Sequence, residues 1–290
     1  MPEEAWGRWG RGDERGALNR IAEPNVLAAC ALAKRGQVIS LSQPIGIETP
    51  VPPHRPRVAH FMTRDGGDYA AGARRAHGFQ FADDAVLMAL HTGTHIDALC
   101  HAWYDDRLYN GFSSDTIRST TGARHCSVEK LTPIVTRGVL LDVVATEGGP
   151  LPSDTVINGG MLKKAAARAG VAIGMGDAAL IRTGWLETQS GEHVDFDSEP
   201  GIDVEAALWL AEAGVSLVGA DNFAIEAMPF AQGSAFPVHQ RLIRDHGIPL
   251  LEGLVLKPLA ETGATEFLFV AAPLPFVGAT GSPLTPIAVL

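Results

Sequence analysis

The strongest constraint on the fold lies in eleven residues, His91-Thr-Gly-Thr-His95-Ile-Asp97-Ala-Leu-Cys-His101. The four side chains in this run that can ligate a metal, His91, His95, Asp97 and His101, all occupy odd-numbered positions. Successive side chains alternate across an extended strand, so residues two, four or six apart share a face. A helix turns roughly 100° per residue, which aligns His91 with His95 but swings Asp97 about 200° away from His95. The run is therefore expected to be extended and to aim all four groups at one point. Gly93 falls on the same face, where its missing side chain leaves room for a water or substrate atom. Three imidazoles and a carboxylate suit zinc or manganese. The chain holds ten histidines in all. Three in one window of strand-compatible spacing outweigh the ordinary reading of scattered surface or core histidines.

The run resembles the signature His-x-Gly-Thr-His-x-Asp-x-Pro-x-His of the cyclase family of metal-dependent hydrolases. That family includes kynurenine formamidases, isatin hydrolases and enzymes named as polyketide cyclases. His91, Gly93, Thr94, His95, Asp97 and His101 match it, and Leu99 replaces the usual proline. Proline would stiffen the loop before His101, so Leu99 is expected to reshape a pocket wall. Downstream, Val238-His239-Gln240 and Leu251-Glu252-Gly253-Leu254 fit the family's second histidine and its glutamate. Gly219-Ala-Asp221-Asn222 and the opening 9–19 resemble further family segments.

The resemblance implies an α/β fold of the swivelling β/β/α type, a mixed barrel-like sheet with outer helices. It implies one unit over 1–290 with an N-terminal arm of about 1–35. It also implies one or two divalent ions per chain, zinc or manganese. His91 and His95 would complete one site and His239 and Glu252 a second, with Asp97 shared. His101 would act as general base and then acid, the alternative being a plain ligand. A homodimer or homotetramer is implied as well, with 273–290 at or near an interface. A mononuclear site remains open on the residues alone.

Bulk properties narrow the alternatives. The 290 residues carry a net charge of −10 and no basic run. Binding to nucleic acid or to an anionic membrane needs clustered lysine and arginine, so neither is expected. Apolar residues make up 46%, enough for a large core, while 32 glycines and 19 prolines favour many turns. Cys30, Cys100 and Cys126 show no CxxC spacing, and Cys100, at an even position, should face away from the metal. The first residues lack the pattern of a signal peptide and no apolar run reaches about 18 residues, so a cytoplasmic location is the expectation. No GxGxxG, P-loop or GxSxG pattern is present, which leaves nucleotide binding and nucleophile-elbow serine catalysis without support.

Along the chain, 22–33 reads as a helix and 37–42 as a strand. Residues 46–84 show little periodicity and read as a long excursion, of the kind that often covers a binding site. Beyond residue 138, strands are expected at 138–144, 178–184, 215–220, 250–256 and 266–271. Helices are expected at 158–169, 203–213 and 238–245. This alternation predicts an α/β core with some parallel pairing.

Trp6, Trp9, Phe61, Trp103 and Phe223 are candidates for an apolar pocket, although packing explains most single aromatics. Thr94, Asp221 and Asn222 are candidates to support the metal ligands through hydrogen bonds. The reading is a metal-dependent hydrolase of an amide, formamide, lactam or lactone carbonyl acting on a small molecule. A cyclase or dehydratase using the same metal as Lewis acid is the alternative, and a non-catalytic metal-stabilised binding protein is a third.

Overall fold

Nine strands form one mixed sheet, and its four central strands run parallel. The computed structural model describes residues 5–131, 133–189 and 194–290. Within them the sheet comprises β1 (Val38–Ser40), β2 (His95–Asp97), β3 (Ile134–Asp142), β4 (Ala178–Arg182), β5 (Leu217–Ala220), β6 (Leu250–Glu252), β7 (Glu266–Ala271), β8 (Gly281–Pro283) and β9 (Ile287–Val289). Their order is β1-β9-β7-β3-β4-β5-β6-β2-β8. Neighbours from β3 to β6 are parallel, and the flanking pairs are antiparallel. Every residue of β4 and β5 is buried, as expected of parallel strands covered on both faces.

The sheet curls into a half-barrel. Past β1, the Leu41 N–H donates to the Pro286 carbonyl at 2.9 Å, and the Leu41 carbonyl accepts from Val255 N at 2.9 Å. Gln43 N donates to Thr94 Oγ1 at 2.9 Å. These bonds tie the continuation of one edge strand to segments beside β6 and β2, near the other edge.

Helices cross over between the parallel strands where the sequence signals place them. With α1 at Glu23–Cys30, α2 (Gly159–Ala169) follows β3 and α3 (Val204–Ala213) follows β4. The Asn158 side chain accepts from Met161 N at 3.1 Å, and that of Asp203 from Ala206 N at 2.8 Å. Each thereby satisfies a backbone donor that the first helical turn leaves unpaired. Gly170 and Gly214 end α2 and α3 with φ of 68° and 89°, a left-handed conformation that glycine adopts without a Cβ penalty.

Several expected boundaries move. The strand expected at 138–144 begins earlier and stops at Asp142, whose side chain caps a short helix Val143–Glu147. The strand expected at 250–256 ends at Glu252, because Gly253 turns the chain at φ 64°. The excursion 46–84 contains a short helix Gly66–Ala70, and a hairpin pairs Ala59–Arg64 with Asp83–Leu87.

The N-terminal segment, expected as an arm, is pinned to the body from its first described residues; residues 1–4 lie outside the description. Trp6 Nε1 donates to the Arg244 carbonyl at 2.9 Å, Ala17 N donates to the Gly247 carbonyl at 2.7 Å, and Leu18 is fully buried.

Candidate metal centre

Strand register brings the two halves of the site together. β6 lies antiparallel to β2, with Glu252 opposite His95. Directly opposed residues on one face have adjacent side chains, and Glu252 Oε2 lies 3.1 Å from His95 Nε2. On the other side of β2, Gly281 of β8 faces Asp97.

The run 91–101 is not extended throughout, as its spacing had suggested. Only His95–Asp97 is strand. His95 and Asp97 share a face by alternation, with His95 Nε2 3.7 Å from Asp97 Oδ1. His91 arrives through a bend in which Gly93 has φ 61°. A side chain on Gly93 would meet Ile45 at 3.2 Å, so this glycine serves the bend and leaves no gap for a ligand. His101 returns through a turn closed by its N–H to the Ala98 carbonyl at 2.9 Å.

The resulting cluster contains His91, His95, Asp97, His101, His239 and Glu252. His91 Nδ1 donates to Asp97 Oδ1 at 2.6 Å, and its ring stacks on His101 with centroids 4.1 Å apart. His101 Nε2 lies 3.8 Å from Asp97 Oδ2. His239 Nε2 lies 3.6 Å from Asp97 Oδ2 and 3.2 Å from Glu252 Oε1. Two triads of donor atoms have all members within 4.8 Å of one another: His91 with Asp97 and His101, and His95 with Asp97 and Glu252. Asp97 belongs to both. His91 and His95, expected to complete one site together, fall in different triads.

Two imidazoles are held with one nitrogen open. His95 Nδ1 donates to the Gly93 carbonyl at 2.9 Å and His239 Nδ1 donates to Glu226 Oε1 at 2.6 Å. Such bonds fix the tautomer and leave Nε2 as the ligating atom. His95 Nε2, Asp97 Oδ2 and Glu252 Oε1 are buried with no hydrogen-bond partner among the described residues. Orphaned polar atoms in the interior are costly, and three converging on one space fit a bound cation. Imidazole nitrogens with carboxylate oxygens are a donor set for zinc or manganese.

The electrostatics agree with that fit. Burial opposes ionisation of Asp97, yet His101, His91 and His239 hold its carboxyl well below the ordinary range. Burial also opposes ionisation of Glu252, and His239 and His95 bring it down despite the charge of Asp97. Burial, reinforced by His91 and His239 against the pull of Asp97, pushes His101 down to about 3. His101 is therefore a neutral imidazole near pH 7.

The site opens on a cavity of about 490 Å³ lined by His101, Trp103, Phe223, Phe236, Glu252 and Arg55, among others. Trp103 and Phe223 were expected there. The other pocket candidates lie elsewhere. Leu99 is fully buried in the core, close to Gly16. Phe61 is half exposed on the hairpin. Trp9 packs beneath Arg8 and Arg20, and Trp6 lies against Arg244. Proximity in sequence to the motif or to the N-terminal pattern does not carry a side chain into the cavity.

The supporting residues divide similarly. Thr94 Oγ1 donates to the Gly253 carbonyl at 2.6 Å, fixing the turn after Glu252. Asn222 assists through its backbone carbonyl, which accepts from Gly253 N at 2.8 Å. Asp221 touches no member of the cluster and holds Thr183 and Gly184 at the end of β4. Cys100 faces away, toward the Ala279 carbonyl, and burial pushes its thiol up to about 12.

Sequence reasoning missed Glu226, Arg55, Thr280 and Gly281. Thr280 Oγ1 lies 3.0 Å from His91 Nε2. Glu226 stands in the apolar stretch Ala224-Ile-Glu-Ala-Met, the same signal that singled out Glu252, a carboxylate among apolar neighbours.

Known proteins share this framework. A crystal structure described as that of a novel cyclase superposes with a TM-score of 0.91 at 38% identity, covering 98% of this chain and 99% of that one. Isatin hydrolase A from Ralstonia solanacearum superposes with a TM-score of 0.63 at 26% identity, covering 92% and 97%. A kynurenine formamidase from Geobacillus thermodenitrificans is 38% identical over 85 residues, which span 29% of this chain and 37% of that enzyme. Among the described residues, no helix is long and apolar enough to cross a membrane. The Cyclase family model matches residues 39–227, and the chain belongs to that family.

Proposed function

We propose that this protein is a metal-dependent hydrolase that uses water to cleave the acyl C–N or C–O bond of an amide, formamide, lactam or lactone, with the C–N bond of an aryl or cyclic amide favoured. The observation that carries this reading is the convergence of His95 Nε2, Asp97 Oδ2 and Glu252 Oε1, all buried and without a hydrogen-bond partner among the described residues, beside an open cavity. The isatin hydrolase and kynurenine formamidase likenesses support it.

His91, His95, Asp97, His239 and Glu252 would hold one or two divalent ions, zinc or manganese, with Asp97 shared. Bound there, the ion supplies Lewis acidity, polarising a carbonyl and lowering the pKa of a water. His101, neutral and on the cavity wall, accepts the proton of the attacking water and returns it to the leaving nitrogen. Trp103 and Phe223 flank a planar ring and narrow the access of bulk water. The protein is proposed to act in the cytoplasm on a small molecule, as a homodimer or homotetramer.

The test measures metal per chain by elemental analysis in wild type and Glu252→Ala, and follows aryl formamides and lactams by mass. A lactam is expected to give one product heavier by one water, and an aryl formamide to give the free arylamine plus formate; both activities are lost on chelation and return on metal add-back. Turnover unaffected by chelation would sink the reading. A product of unchanged mass, or one lighter by a water, would assign the cyclase or dehydratase alternative.

A further inference from the structure

Arg55 is a lysine-or-arginine cation on the cavity wall, alone in that among the described lining residues. It comes from the excursion after β1, and two contacts hold it in place. Nη1 donates to the His91 carbonyl at 2.6 Å. The guanidinium lies over the Phe223 ring, 5.1 Å from its centroid, and Phe223 in turn leans on His95, with ring centroids 6.3 Å apart. The charge is therefore fixed one aromatic ring away from the metal ligands.

The remaining donors are unused. Nε and Nη2 make no hydrogen bond to the described residues, and no carboxylate there forms an ion pair with Arg55. Neither nitrogen is sealed from solvent. Within a chain of net charge −10, the guanidinium feels the charges of Glu252 and Asp97 but pairs with neither. A planar fork with two free edges matches a carboxylate. Holding the His91 carbonyl needs only one of its donors.

We propose that Arg55 is a specificity-determining residue that binds a carboxylate on the substrate, separate from the carbonyl under attack. The substrate class, resting on the hydrolase reading above, is then an acylated or cyclic aryl amide bearing an anionic substituent. The ring lies along Phe223, and Arg55 takes the anion.

The test uses metal-loaded full-length protein and two matched formanilides, one with a ring carboxylate and one with the neutral carboxamide in its place. Arg55→Gln is expected to lower kcat/KM for the acid about 10- to 100-fold, chiefly through KM, as befits losing a charge-assisted hydrogen bond. The carboxamide should change by less than about 3-fold, metal content should hold, and Arg55→Lys should recover part of the loss. Equal losses on both substrates, or loss of metal, would overturn the proposal and leave Arg55 as a support for the His91 loop. If wild type hydrolyses neither compound, the hydrolase reading fails there. Binding of benzoate against benzamide by calorimetry then decides Arg55 separately. An acid preference abolished by Arg55→Gln upholds the proposal, and one that persists in the variant overturns it.

Discussion

The Glu226 carboxylate accepts two hydrogen bonds from His239 and a third from its neighbour Val238. Oε1 accepts from His239 Nδ1 at 2.6 Å and from His239 N at 3.1 Å, while Oε2 accepts from Val238 N at 3.0 Å. One side chain thus caps the start of the helical segment at Pro237 and sets the ring that the segment carries. The result is an Nε2 aimed between Asp97 and Glu252.

Glu226→Gln keeps the shape but replaces the carboxylate with an amide that is a weaker acceptor. Outer partners of ligating histidines support metal affinity by about 10- to 100-fold. Competition against a chromophoric chelator is expected to show a loss of that size, with the circular dichroism spectrum unchanged. Unaltered affinity would remove His239 from the ligand set.

Gly281 sits opposite Asp97, and a Cβ there would come within 2.5 Å of His91 Cε1 and 2.7 Å of the Ile96 carbonyl. Neither the backbone nor a histidine bonded to Asp97 can yield cheaply. Gly281→Ala is expected to displace His91, lower metal content and destabilise the fold by about 1–3 kcal/mol, the usual range for overpacking. Gly66→Ala, where a Cβ meets nothing within 4 Å, is the control. Full metal loading in Gly281→Ala would show that His91 is not a ligand.

Asp221 offers a pH test away from the cluster. Burial pushes its carboxyl up to about 6, despite donors from Thr183 and Gly184. A raised value means that the folded state holds the proton more tightly than the unfolded chain does. Its contribution is therefore full below the ordinary value of 3.8 and is lost as pH rises through about 6. Between pH 5 and pH 7, wild type should lose about 1 kcal/mol relative to Asp221→Asn. Urea unfolding of both proteins at the two pH values measures the difference. A constant gap would mean that Asp221 is already ionised at pH 5.

The central α/β layer was legible because its signals are local. Asn158, Gly170, Asp203 and Gly214 mark helix ends by chemistry that acts within a few residues. The cluster was legible for a different reason: spacing and resemblance both selected His91, His95, Asp97 and His101, and the resemblance added His239 and Glu252. The path of the chain between them was not. Parity predicted one long strand, but a Gly93 bend and a turn at Ala98 deliver His91 and His101 to the same place. Partners such as Arg55 and Thr280 reach the site through tertiary packing, 36 residues before and 189 after His91. No periodicity in the sequence encodes that.

Leu99 tests the difference between motif position and cavity position. It stands where the family motif has proline, yet its side chain is fully buried and lies against the backbone at Gly16, on the side of the N-terminal segment. The structure thus gives it a packing role in joining residues 16–20 to the metal loop. Leu99→Ala removes buried methyl groups where Gly16 is held at φ 60° by its own close neighbours, so collapse around the gap is restricted. The expected cost is about 2–5 kcal/mol, read as a lower urea midpoint with an unchanged slope. KM for a hydrolysed amide should be unaltered in the folded fraction, because Leu99 does not line the cavity. A changed KM with unchanged stability would return Leu99 to the substrate pocket and show that the metal loop moves when substrate binds.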